Sequence, residues 1–131
     1  HFGNMYIDQG QFTFFDFDDA SYKYFVSDIA IVLFYHFHAR PFDRDEITKQ
    51  AKHIIKPLLE GYKEENLLDK KQFEFLNDFL KLRLQVLYLV LVATGTTKEP
   101  DTFANRFVNN FREVILKEED FLNLEEILDS I

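Results

Sequence analysis

Two oxygen-bearing side chains near the start of the sequence, Asn4 and Asp16, have the types and the spacing of a metal site. A tight turn at Gln9-Gly10 lies between them, so the chain doubles back and both residues fall at the open end of a hairpin. Paired strands lie about 4.8 Å apart, which lets one cation contact both side chains. Amide and carboxylate oxygens are hard ligands that suit Mg²⁺. The spacing therefore predicts a Mg²⁺ site formed by Asn4 and Asp16.

Asp18 is the candidate for a third metal ligand. In an extended chain, side chains two positions apart point to the same side, so Asp18 would follow Asp16 toward the cation, directly or through a water. The hairpin register decides which side chains converge, and the sequence leaves that register open. Asp19 is interpreted as a cap or surface residue. The simpler alternative is that Asn4 is a turn residue and Asp16 a strand-end residue.

The elements that must position these residues are two short strands. Residues 5–8 and 11–17 are rich in Tyr, Ile, Phe and Thr, which favours β-structure, and Gln9-Gly10 is typical of a hairpin turn. Apolar residues occur on both faces, so we expect the hairpin to be buried on both sides. Because a lone two-stranded hairpin is marginal in water, it must pack on helices or on other parts of the protein.

Apolar residues at three- and four-residue spacing predict a helical subdomain after the hairpin. The predicted segments are 25–39, 43–61, 69–95, about 103–115 and a short helix in the acidic tail. Pro57 should kink or split the second helix, Gly61 should end it, and Pro100 should lie in the first turn of the fourth. For residues 80–86 a strand is the alternative. The predicted fold class is α+β, mostly helical, with an N-terminal β-hairpin packed on a four- to five-helix subdomain.

Composition narrows the function classes. The chain has 131 residues, no Cys, a formal net charge of −8 and a pI of about 4.9. An acidic chain repels the phosphate backbone of nucleic acids, and without Cys there is no disulfide framework. The apolar run at residues 86–93 is far shorter than the roughly 20 residues of a membrane span. We expect a protein that binds neither nucleic acid nor membrane, and the lack of Cys is compatible with the cytoplasm.

The run HFGNMYIDQGQFTFFDFDDA, with D-I-A following at 28–30, resembles the active-site half of the aminoglycoside phosphotransferase family, whose fold is similar to that of protein kinases and choline kinases. The family signature reads H-G-D-x-H-x-x-N, then a strand–turn–strand, then I-D-F-D-D or a variant, then x-D-[LI]-A. His1 matches the second His and Asn4 the metal-binding Asn. Asp16 matches the Asp that begins D-F-G in protein kinases, Asp18 an acidic position two residues later, and Asp28 a buried Asp that steadies the catalytic loop.

This resemblance implies a Mg²⁺-dependent kinase that uses ATP to phosphorylate a hydroxyl of a small molecule, with Asn4 and Asp16 holding the metal on the phosphates. Residues 1–23 would be the catalytic-loop remnant and metal-binding hairpin, and 24–131 a helical subdomain of the C-terminal lobe. The catalytic Asp, expected two residues before His1, the Gly-rich loop and the ATP-binding Lys have no counterpart. We therefore expect a C-terminal fragment that is inactive alone and needs an N-terminal lobe as partner.

The resemblance also suggests the acceptor, an aminoglycoside- or choline-like alcohol whose pocket wall is formed by residues 43–115. Acidic residues there are candidates to bind an amine only because of their charge: Asp45, Glu46, Glu64 and Glu65. The alternatives are a non-catalytic kinase-like binding module, a protein Ser/Thr kinase of the same family, and a helical regulatory domain in which the hairpin does not form. Apolar surface left where the N-terminal lobe would dock makes a homo-oligomer a further possibility.

The remaining residues considered for a functional role are three histidines and one arginine. His36 and His38 are two positions apart, and such a pair points in different directions on a helix, so we interpret both as core or surface residues and not as metal ligands. His53 has no partner in sight. Arg83 lies in an apolar helix, where we expect a buried or groove-lining ion pair with an acidic residue, with ligand contact as the alternative.

Overall fold

The computed structural model of the chain describes residues 2–18, 20–66 and 69–131, without the side chain of Phe2. The elements are β1 (Met5–Asp8), β2 (Gln11–Phe14), α1 (Phe25–Phe37), α2 (Arg44–Glu65), α3 (Leu76–Ala93), α4 (Phe103–Leu116) and α5 (Leu124–Leu128). Short 3-10 helices cover Phe2–Asn4, Lys70–Phe75 and Thr96–Lys98. The predicted α+β, mostly helical fold is confirmed. None of the described helices has the length and apolar character needed to cross a membrane.

The hairpin forms as predicted. Gln9 and Gly10 have φ angles of 46° and 80°, and positive φ at both central residues is the backbone of the turn that matches strand twist. Strands β1 and β2 pair antiparallel, from Met5 opposite Phe14 to Asp8 opposite Gln11. The helical regulatory domain without a hairpin is therefore excluded as an alternative.

The expectation that both faces of the hairpin are buried is wrong. Every described residue of β2 is exposed, and in β1 only Met5 is partly covered. Phe12 and Phe14 are 60% and 58% exposed. An apolar pattern on a strand shows that burial would be favourable, but it does not supply the covering element. In the described part of the chain, residues at the open end of the hairpin and residues of α1 and α2 line one cavity, which is described below.

The helices surround an aromatic core. Phe34 of α1, Phe107 and Phe111 of α4 and Phe121 are each no more than 1% exposed. The rings of Phe111 and Phe121 stack at 18°, and those of Phe34 and Phe107 meet edge to face. Burying one such side chain stabilises the fold by roughly 1.5–3 kcal/mol. This cluster joins α1 and α4 to the segment before α5, and it explains why so many of the Phe residues follow helical spacing.

Packing overrides two of the predicted helix boundaries. Helix α2 begins as expected, with the Asp43 side chain accepting from the backbone N–H of Glu46 at 3.1 Å. It then runs through Gly61 to Glu65, so the stop predicted at Gly61 is wrong. Pro57 lies inside this helix and does not split it, and the kink there stays a prediction. Helix α4 begins after an N-cap at Thr102, so Pro100 precedes the helix and does not lie in its first turn. Residues 80–86 belong to α3 and are not a strand.

A buried asparagine joins α3 to the C-terminal segment. The Asn77 side chain donates to the carbonyl O of Leu122 and accepts from the N–H of Leu122, both over 3.0 Å. Thr48 of α2 accepts from the next backbone N–H, that of Asn123, over 2.9 Å. These bonds satisfy buried peptide groups that would otherwise be costly, because an unpaired buried polar group retains its full desolvation penalty. No sequence motif marked Asn77.

We predict that Asn77→Ala destabilises the fold by about 2–4 kcal/mol, because it removes two hydrogen bonds and leaves a buried peptide unit unpaired. Urea unfolding followed by circular dichroism measures the change in the free energy of unfolding. Asn109→Ala, on the exposed face of α4, is the matched control and should change this free energy by no more than about 0.5 kcal/mol. Equal effects of the two substitutions would contradict the role given to Asn77.

Candidate functional site

The open end of the hairpin brings Asn4 and Asp16 together. The N–H of Phe15 donates to the carbonyl O of Asn4 over 3.1 Å, which continues the strand pairing one step beyond Met5 and Phe14. Nδ2 of Asn4 then lies 3.4 Å from Oδ2 of Asp16. A hydrogen bond of this length is weak, so the two side chains are neighbours without being locked to each other.

The backbone at Asp16 is strained. Its φ is 65°, in the left-handed region that costs residues other than Gly about 1–2 kcal/mol, although Asp tolerates it better than most. Strain of this kind concentrates at functional sites, where the surrounding structure maintains it. The strand register places Phe15, and not Asp16, opposite Asn4. The change of backbone direction at Asp16 then brings the Asp16 carboxylate close to the Asn4 side chain.

A cavity of about 480 Å³ opens beside this pair. The hairpin end contributes Asn4, Phe15 and Asp16, while α1 contributes Tyr35 and α2 contributes Leu58. The other lining side chains are apolar: Met5, Phe14, Phe17 and Val32. A largely apolar cavity with a few converging polar groups is the usual form of a small-molecule site. Asn4, Asp16 and Tyr35 are the polar groups here.

Asp18 does not join the described pair. It is exposed in a turn and does not line the cavity that contains Asn4 and Asp16. Among the described residues, no three His, Asp or Glu side chains are grouped as metal ligands. Its role as third ligand stays a prediction. His1, which matches the second His of the signature, and Asp19, interpreted as a cap or surface residue, lie outside the described residues.

The expectation that Asp28 is buried is wrong for the described structure. Asp28 is in the first turn of α1 and is exposed, because the described residues place no element over this face of the helix. Partial desolvation still raises the pKa of its carboxyl group, and the positive charge of Lys23 opposes this. The structural role suggested by the resemblance stays a prediction.

Arg83 has an aromatic partner and not the acidic one that we expected. A terminal N–H of Arg83 donates to the hydroxyl oxygen of Tyr35, and the guanidinium carbon lies 5.2 Å from the centre of the Tyr35 ring. Within the described residues, Nε of Arg83 is buried without a hydrogen-bond partner and no carboxylate pairs with this side chain. Tyr35 also lines the cavity, so the hydrogen bond from Arg83 fixes the position of one residue of the cavity wall.

His36 and His38 are both partly buried among neighbouring side chains, in agreement with their interpretation as core or surface residues, and His53 is exposed. Nδ1 of His38 donates to the carbonyl O of Tyr35 over 2.9 Å, and the ring packs edge-on against Phe103. Burial lowers the pKa of His38 below 6.5, the hydrogen bond to Tyr35 opposes this shift, and the positive charge of Arg83 adds to it. His36 is half-buried against Phe37. Neither takes part in a metal cluster of the described residues.

The acidic residues suggested as amine ligands are not at this cavity. Asp45 and Glu46 lie in the first turn of α2, and Glu64 and Glu65 lie at its other end, all exposed. Leu58, from the middle of the same helix, lines the cavity instead. Tyr35 was missed because a Tyr at helical spacing is indistinguishable in sequence from an ordinary core aromatic.

No protein-family model matches the chain. The chain is similar to amicoumacin kinase of Bacillus subtilis (strain 168). The two are 36% identical over 91 residues, which are 70% of this chain and 27% of the relative. The chain therefore spans about a quarter of the curated relative that it matches. This similarity supports a kinase-like phosphotransferase family, as the residues of the hairpin suggested.

We predict that acidification destabilises the fold through His38. Its folded pKa lies below that of the unfolded chain, so the unfolded state binds more protons, and stability is lost as pH falls from 6.5 through the folded pKa. The free energy of unfolding of the natural chain and of His38→Gln should be compared at several pH values from 7.5 downward. The substitution should flatten this dependence, and an unchanged slope would contradict the prediction.

Proposed function

We propose that the chain supplies the Mg²⁺-binding part of an ATP-dependent phosphotransferase that phosphorylates a hydroxyl group of a small molecule. The observation that carries this proposal is the juxtaposition of Asn4 and Asp16, which line the same cavity. The similarity of the sequence to a kinase supports the same proposal. The cytoplasm is the compartment we infer for this protein.

The donor set fits Mg²⁺. Asp16 offers a carboxylate that pairs with no Lys or Arg in the described part of the chain. Asn4 offers its amide oxygen once the terminal amide group has rotated by half a turn, because Nδ2 now faces Asp16. The long contact between the two side chains makes this rotation inexpensive. A bound Mg²⁺ would neutralise the negative charge of the ATP phosphates. Asn4 and Asp16 would orient the cation, and Asp18 would hold a further ligand position or a coordinated water.

The acceptor we infer is a small alcohol that carries an amine, as in aminoglycosides or choline. The net charge of −8 favours a cationic ligand over an anionic one. Tyr35 and Leu58 would contact the acceptor beside the metal site, and Arg83 would keep Tyr35 in place through its hydrogen bond. The relative is an amicoumacin kinase, and for this chain we propose the chemical class of the acceptor.

We predict that Mg²⁺ binds weakly at the open end of the hairpin and that Asp16→Asn weakens this binding at least about tenfold, because a carboxylate is the main charged ligand. Asn is also tolerated at positive φ, so the variant should keep the backbone. Chemical shifts of the backbone amides during a Mg²⁺ titration measure the affinity and locate the site.

Asp8→Asn is the matched control for this titration. Asp8 is on the same hairpin and is exposed, but it lies beside the turn at the closed end. Its substitution should leave Mg²⁺ affinity nearly unchanged, and Asp18→Asn should have an effect between those of the other two. If Asp8→Asn weakens binding as much as Asp16→Asn, the cation is attracted by overall charge and the proposed site is wrong.

We also predict that these 131 residues alone transfer no phosphoryl group from ATP, because no residue of the sequence matches the catalytic Asp of the signature. The measurement is consumption of ATP in Mg²⁺ with hydroxyl-bearing amines as acceptors, followed by phosphorus NMR. The full-length relative, amicoumacin kinase, serves as the positive control. Phosphorylation of any acceptor by the purified chain would overturn this prediction.

A further inference from the structure

The outer face of α3 carries a stripe of exposed apolar side chains. Leu82, Val86 and Leu89 are 53%, 42% and 65% exposed, and Ala93, four positions further on, is exposed as well. The opposite face of the helix packs in the core, where Leu84 is only 2% exposed. Single exposed apolar residues are ordinary, but a contiguous patch of them marks a surface that binds another molecule.

The sequence around this stripe lacks the charges that a solvated helix face normally carries. Between Arg83 and Lys98 there is no Asp, Glu, Lys or Arg, although charged residues make up 29% of the chain. Val90 and Val92, beside the stripe, are exposed too. A helical segment that is apolar on all sides is typical of one that is buried on all sides. The outer face of α3 therefore has the composition of an interface.

The spacing of the stripe indicates that its partner is another helix. Positions 79, 82, 86, 89 and 93 are separated by alternating steps of three and four residues, which is the pattern of the a and d positions in a coiled coil. Phe79, Val86 and Ala93 are then at a, and Leu82 and Leu89 are at d. A β-branched residue at a between leucines at d favours two parallel helices.

Two charged side chains beside the stripe complement each other in a pair of identical parallel helices. Asp78 is at g and Arg83 is at e, and a g residue of one helix lies next to the e residue five positions later in the other. Asp78 is exposed and Arg83 partly so, and neither forms an ion pair within the residues that the structure describes. Arg83 uses one terminal N–H on Tyr35, which leaves further donors for a carboxylate. An antiparallel pair would instead place Asp78 opposite the uncharged C-terminal half of α3.

We propose that the chain forms a parallel homodimer through α3, in which Leu82, Val86 and Leu89 of both copies share one seam. Because a twofold axis makes such an interface self-complementary, Asp78 and Arg83 form two equivalent ion pairs across it. A second copy fits this face better than a membrane surface does, since the stripe lacks basic flanks and the net charge of −8 repels anionic lipids. The seam is short, so the dimer belongs to the weak, reversible class that buries less than about 1,200 Å². This interface does not depend on the proposed phosphotransferase activity.

Sedimentation equilibrium of the 131-residue chain, from about 1 μM to about 1 mM, measures the association. We expect a reversible equilibrium between monomer and dimer. Leu89→Glu should weaken association at least about tenfold, because it places two unpaired carboxylates in an apolar seam. Ile7→Glu is the matched control, since Ile7 is 57% exposed but belongs to the hairpin, and it should leave the dimer unchanged.

Two results of this experiment would overturn the proposal. One is a natural chain that stays monomeric over the whole concentration range, whether or not it binds vesicles of neutral phosphatidylcholine. The other is a dimer that Ile7→Glu disrupts and Leu89→Glu does not, which would place the interface on the exposed hairpin. Circular dichroism of each variant separates loss of the dimer from loss of the fold.

Charge exchange tests the parallel arrangement. Asp78→Lys should weaken association at least about tenfold, because like charges then face each other across the seam. Asp45→Lys should not, although Asp45 is likewise an exposed acidic residue in the first turn of its helix. Equal effects of these two substitutions would contradict the proposed ion pair, and this comparison stands even if Arg83→Glu does not fold.

The variant Arg83→Glu provides a second test of the same pair. Alone it should weaken association, but a mixture of the Arg83→Glu and Asp78→Lys chains should associate about as tightly as the natural chain. In the mixed dimer, both positions next to the seam again bring opposite charges together. If the mixture associates no better than either variant alone, the parallel arrangement is wrong.

Discussion

The antiparallel pairing of β1 with β2 is the constraint on which the candidate site depends. The turn at Gln9-Gly10 sets the register, and the register places the carbonyl of Asn4 against the N–H of Phe15. A shift by one residue would turn every side chain to the opposite face. It would also move Asp16 away from Asn4. The site therefore depends on two residues of a turn that lies at the far end of the hairpin.

Residues of the helices form the remaining walls of the cavity at the open end of the hairpin. Helix α1 is central, since it packs into the aromatic core through Phe34 and presents Tyr35, the next residue, to the cavity. Arg83 of α3 holds the same tyrosine through its hydroxyl group. A change in the packing of α1 against α3 would thus reach the cavity wall without altering the hairpin.

Much of this arrangement was predictable because the relevant signals are local. The turn residues, the Asp43 cap and the helical spacing of the apolar residues each act within a few positions of the chain. The proximity of Asn4 to Asp16 follows from the turn between them. The partner of Arg83 was not predictable, since Tyr35 lies 48 positions away and a partly buried guanidinium group can donate either to a carboxylate or to an aromatic hydroxyl. The burial of Asp28 and of the hairpin faces was predicted wrongly for a similar reason: exposure depends on what covers a residue, not on its type.

The sequence by itself determined the hairpin, the helices and the residue types that can bind a divalent cation, because turns, caps and hydrophobic periodicity are encoded over short stretches of chain. The tertiary structure alone decided which side chains share a cavity. It carried α2 through Pro57 and Gly61, and it left Oε1 of Gln72 buried without a hydrogen-bond donor among the described residues. These outcomes depend on contacts between distant segments, whose energies no local pattern contains.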